Sequence, residues 1–228
     1  MDASALTVTA AALVTALATG LGAIPLAFAH GKTETWLRGA NAAAAILMLL
    51  ASGLLLYEGV AKSLGKTTVG ATAGVLAIVL STRWLRSRAD WRFDSLRGAH
   101  ARSALIIVGV MTVHSMAEGI GVGVSFGGGS SVGLATAAAI AVHNIPEGLA
   151  ISLVLVPRGV TVWRSALWSI FSSLPQPLLA LPAYLFVEAF SAALPVGLGF
   201  AGGAMVWMVF AEIVPETFRP GRERLAFH

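Results

Sequence analysis

The chain has 228 residues, of which 57% are hydrophobic and only 11% charged, whereas a soluble globular domain carries about 25% charged residues. With a mean hydropathy of +0.82, too few polar residues remain to coat an apolar core, which excludes a soluble fold and calls for a bilayer. The net charge of +4 does not indicate nucleic acid, because the arginines sit in loops between apolar runs and no basic recognition helix is present.

Seven stretches reach the roughly 17 to 25 apolar residues that a membrane-crossing helix needs. The first, 6–29, has no Lys or Arg before it, lacks the basic region of a cleaved signal, and reads as a retained span. The others are 40–60, 69–85, 103–126, 132–156, 165–190 and 195–215. The expectation is an all-α integral membrane protein, a polytopic helical bundle forming one transmembrane domain over residues 1–228. Of the 15 Lys and Arg residues, 13 fall in loops one-two, three-four and five-six or in the C-terminal tail, and the opposite side has only Lys62 and Lys66. The positive-inside rule then places the N-terminus outside and the Arg-rich loop between spans three and four in the cytoplasm. Loop four-five is GGGSS, residues 127–131, so spans four and five form a tight antiparallel hairpin.

That hairpin carries the same H-x-x-x-E-G pattern twice: His114 and Glu118 on span four, His143 and Glu147 on span five. Residues four apart share a helix face, so each His can share an ion with its own Glu. His114 and His143 are equidistant from the turn, about 18 Å along the helix from the membrane surface, which is mid-membrane. The four side chains are read as a ladder along a transport axis. Carboxylates at that depth are costly and mark ion pathways. A divalent ion offsets two of them, and two His with two Glu suit zinc, manganese, iron or cobalt better than calcium or magnesium. No Cys is present, so any metal is held by N and O ligands.

Pro146 cannot donate to the carbonyl of Val142, which opens the helix backbone beside these ligands. Gln176, within Pro175-Gln176-Pro177 of span six, reaches mid-membrane as a neutral ligand or donor. Glu58 near the outer end of span two, and Glu212 and Glu216 around Pro215, are candidates for ion entry and exit. Gly70, Gly74, Gly199 and Gly203 permit close helix packing and a homodimer.

The HNIPEG run at 143–148, together with ATGLGAIPL in span one, SSLPQP in span six and GGAMVWMVFAEIVPE in span seven, resembles the ZIP (Zrt/Irt-like) family of divalent-metal transporters. The resemblance implies an eight-helix bundle arranged three, two and three, of which this chain has seven helices. It implies that His114, Glu118, His143 and Glu147 hold the transported ion, zinc first and iron, manganese, cobalt or cadmium as alternatives. Ser115, Asn144 and Gln176 fall where the family places ligands of a second metal. Here Ser115 and Gln176 replace the typical Asn and Glu, which points to a single-ion centre or one tight and one weak ion. The implied activity is import across a plasma (inner) membrane, with the metal as substrate and no cofactor. There is no P-loop. A rival reading of the same cluster is an intramembrane zinc hydrolase, for which H-E-x-x-H is absent.

Overall fold

The computed structural model describes residues 4–28, 33–88 and 99–215. Among these residues there is no strand. Nine α-helices follow in order: α1 (Ala5–Leu21), α2 (Ile24–Phe28), α3 (Thr33–Lys62), α4 (Leu64–Arg88), α5 (Ala99–Gly127), α6 (Ser130–Leu155), α7 (Val162–Ser173), α8 (Pro175–Ala189) and α9 (Leu194–Met208). A short π-helical turn, Val209–Ile213, follows α9.

Six helical segments among the described residues are long and apolar enough to cross a membrane: Ala5–Phe28, Ala45–Lys62, Leu64–Leu85, Ser130–Leu155, Val162–Ala189 and Ser191–Ala211. The remaining long helix, α5, carries five glycines together with His114, Ser115 and Glu118. It packs against α4, α6, α7, α8 and α9, so protein rather than lipid forms most of its surroundings.

Two of the seven spans are broken. Span one bends at Gly22 and Ala23, whose N–H groups bond three residues back, to Thr19 and Gly20, and Pro25 then lacks the N–H that would continue the helix. Span six divides into α7 and α8 at Leu174, whose N–H bonds to Phe171 O at 3.2 Å. Pro175 and Pro177 follow and remove two further donors, which puts Gln176 in the first turn of α8. Span five behaves differently: α6 runs continuously through Pro146, so that proline removes one donor without breaking the helix.

The hairpin between α5 and α6 has the tight turn that the glycines predict. Gly128 and Gly129 link the helices, and Gly129 has φ 125° and ψ 152°, a backbone conformation open essentially to glycine alone. The two hairpin helices are then flanked in matching fashion: α1 and α3 pack on α6, while α8 and α9 pack on α5.

The surface is apolar and much of the interior is not. Leu50, Tyr57, Trp163, Leu178 and Phe210 are exposed, whereas Thr15, Ser115, Glu118, Asn144, Ser172 and Gln176 are fully buried. This inverts the order of a soluble protein and fits a hydrocarbon solvent.

A tight apolar seam joins α4 to α9. A Cβ at Gly70 would collide with the backbone of Val196, at Gly74 with Phe200, at Gly199 with Thr67 and at Gly203 with Ala71. The small-residue pattern is therefore used within the chain, to bring two of its own helices into backbone contact. A homodimer cannot draw on these four positions, because their faces are already covered.

Candidate metal centre

Among the described residues one group of three metal-ligating side chains converges: Glu118 from α5, with His143 and Glu147 from α6. One ligand atom from each lies within 4.8 Å of the others. His143 Nε2 is 3.5 Å from Glu118 Oε1. All three residues are nearly sealed from outside, at 0%, 5% and 7% exposure for Glu118, His143 and Glu147.

His143 and Glu147 converge because they lie one turn apart on one face of α6. Glu118 joins them across the hairpin. Helical side chains lean toward the N-terminus of their own helix. In an antiparallel pair these leanings oppose, so Glu118 on α5 and His143 on α6 lean toward each other. His114 Nδ1 lies 3.1 Å from Val110 O, one turn back on its own helix. It is buried but not a member of the three-residue group.

The residues considered for a second metal form a hydrogen-bonded network. Gln176 Nε2 donates to Glu118 Oε2 at 2.7 Å. Asn144 Nδ2 donates to Gln176 Oε1 at 3.1 Å and to the backbone carbonyl of Thr15, on α1, at 2.7 Å. The Thr15 hydroxyl stands 2.5 Å from Gln176 Oε1. Ser115 Oγ lies 3.5 Å from Ser173 Oγ, which is 2.8 Å from Thr19 Oγ1. Two oxygens are left over: Glu118 Oε1 and Asn144 Oδ1 are buried and accept no hydrogen bond. Such orphaned acceptors in a dry interior are costly, and a cation is a chemical partner that suits them.

The entry and exit candidates are not gathered into this site. Glu58 is half-buried near the end of α3 and does not join the cluster. The side chain of Glu212, and Glu216 altogether, lie outside the described residues.

Sequence reasoning overlooked two sets of residues that shape the centre. The first is the glycine that closes each H-x-x-x-E-G. A Cβ on Gly119 would strike the backbone of Gln176, and one on Gly148 the backbone of Thr19. Each motif glycine therefore admits a neighbouring broken span, α8 beside Glu118 and α1 beside Glu147. Its repetition after each Glu was the available signal. The second is a hydroxyl set: Thr15 and Thr19 on α1, and Ser165, Ser169, Ser172 and Ser173 on α7, all fully buried. Ser165 Oγ donates to Ser152 Oγ at 2.8 Å, and Ser169 Oγ to Ser165 O at 3.0 Å. Their three- and four-residue spacing inside apolar runs marks one helix face each, which is legible in the sequence.

A membrane-type helical bundle with a buried His and carboxylate cluster defines a class of metal-handling membrane proteins. The chain belongs to the ZIP family: the model of the ZIP Zinc transporter family matches residues 90–227. It is similar to the zinc transporter GufA of Myxococcus xanthus, 34% identical over 95% of this chain and 90% of that protein. It is also 48% identical to the provisionally named zinc transporter At3g08650 of Arabidopsis thaliana, over 91% of this chain but 34% of the plant protein. The chain therefore spans about a third of that relative's length. The zinc transporter ZIPB of Bordetella bronchiseptica is 34% identical over 56% of this chain and 42% of its own.

Proposed function

We propose that this protein carries divalent transition-metal ions, zinc first among them, through the membrane toward the cytoplasm, by way of a site made of Glu118, His143 and Glu147. The observation that carries the reading is their convergence within 4.8 Å in a buried interior. Two carboxylates and a neutral imidazole match the charge of one divalent ion. They would also supply one nitrogen and at least two oxygens, a donor set suited to zinc and its neighbours. The names of GufA and ZIPB point the same way. Iron, manganese, cobalt and cadmium belong to the same proposal as weaker substrates.

An arriving ion sheds water as the three side chains replace its hydration shell. Because these groups are buried, passage requires the elements around them to open first to one side and then to the other. His114, one turn nearer the cytoplasmic end of α5, is the next ligand for an ion moving inward and completes the four-residue ladder. Import into a plasma membrane with the N-terminus outside rests on the uneven placement of Lys and Arg.

The test is flux. Protein reconstituted in liposomes that enclose a zinc-responsive dye gives a signal on zinc addition, and His143→Ala and Glu147→Ala abolish it. Zinc that binds tightly without crossing, in the native protein, contradicts transport and favours a structural or hydrolytic centre.

A further inference from the structure

Gln176 contributes no charge to the centre, yet it is fully buried with its amide against a carboxylate. Its orientation is dictated from a distance. The carbonyl of Thr15 can only accept, so the Asn144 group 2.7 Å from it must be the NH2. The second hydrogen of that NH2 needs an acceptor, which makes the Gln176 atom at 3.1 Å the oxygen. The Thr15 hydroxyl faces the same oxygen. The Gln176 NH2 is consequently turned to Glu118 Oε2, at 2.7 Å. Thr15, Asn144, Gln176 and Glu118 are all at 0% exposure, so no solvent can substitute for a member of the relay.

We propose that Gln176, oriented through Asn144 by the α1 backbone at Thr15, is a positioning residue that holds one oxygen of Glu118 and leaves only the other for the ion. The inference rests on the reading that Glu118 is an ion ligand. Its consequence concerns coordination number. With Oε2 committed to Gln176, Glu118 presents Oε1 alone toward His143 and Glu147, and the ion receives one oxygen where a free carboxylate gives two. A low ligand count favours tetrahedral ions such as zinc and cobalt over ions that prefer six oxygens, such as manganese and magnesium. Gln176 thereby acts on selectivity without touching the metal.

Cobalt(II) reads this directly, because its visible absorption is intense when four-coordinate and weak when six-coordinate. The full chain in lipid nanodiscs is titrated with Co2+ and then with Mn2+ in competition. The native protein shows the intense band. Gln176→Leu binds Co2+ about 10- to 100-fold more weakly, the range for loss of an outer hydrogen bond to a ligand. Its band also weakens as Glu118 becomes bidentate, and Mn2+ competes better. Asn144→Leu, which removes the donor that orients Gln176, shifts the band in the same direction. Should Gln176→Leu fail to fold, Gln176→Glu keeps the shape, removes the donor and adds an oxygen ligand, which also weakens the band. Native affinity and native absorption in the folded Gln176 variants overturn the proposal. His143→Ala separates the two readings: loss of Co2+ binding there supports the ion site whatever Gln176 does, and retention with the native band contradicts the ion site itself.

Discussion

Two helix interfaces in this molecule solve the same problem by opposite means. Between α4 and α9, glycines let one backbone touch another, so the contact is made by dispersion between small groups. Among α1, α5, α6, α7 and α8, the interior is lined by hydroxyls, amides, two imidazoles and two carboxylates. A dry polar interior is harder to build, because each unmatched group costs about 1 to 3 kcal/mol. The first interface is a structural weld, while the second keeps two oxygens unmatched beside the carboxylate cluster. The difference separates where the fold is held from where it acts.

Substitutions should divide along that line. The largest effect is expected from His143→Ala or Glu147→Ala, which remove one of three converging ligands. Equilibrium dialysis with zinc should show a loss of affinity beyond the roughly 100-fold seen for outer-sphere changes, with thermal unfolding little changed. Gly148→Ala comes next and tests both terms at once. Its Cβ meets the backbone of Thr19, so α1 must move from beside Glu147. Overpacking of this kind costs about 1 to 3 kcal/mol, and zinc affinity should fall with stability. At the seam, Gly203→Ala displaces the backbone of Ala71. A stability loss of about 1 to 3 kcal/mol is expected in thermal melts, with the folded fraction binding zinc as the native protein does. The smallest effect belongs to Ser165→Ala, which removes the hydrogen bond to Ser152. Interhelical bonds of this type average about 0.6 kcal/mol, and flux should stay at the native level. If Gly203→Ala weakens zinc binding as much as Gly148→Ala does, the division between weld and working interior fails.

Much of this division is legible in the sequence. The paired H-x-x-x-E-G, the glycine turn and the apolar run lengths predict the hairpin, and they name Glu118, His143 and Glu147 as neighbours. They do not reveal which ligand atoms meet. Residue spacing locates Cα atoms along a helix, whereas the lean of a side chain toward its own N-terminus decides which atoms meet across an antiparallel pair. Likewise, Pro146 and Pro175 look alike as helix breakers, yet α6 continues through the first and span six divides at the second. The second is accompanied by Pro177, so two backbone donors are lost within three residues. The bond from Asn144 to α1 was hidden for another reason. Its acceptor is the backbone carbonyl of Thr15, which any residue type supplies, and only the packing of α1 against α6 brings it to Asn144.

The central claim is that one ion sits among Glu118, His143 and Glu147. Crystals of the protein soaked in zinc, with anomalous scattering recorded on both sides of the zinc absorption edge, locate that ion directly. The account predicts a peak within bonding distance, about 2.0 to 2.2 Å, of His143 and of both carboxylates. A sole peak on carboxylates outside the bundle, with this cluster empty, would contradict it.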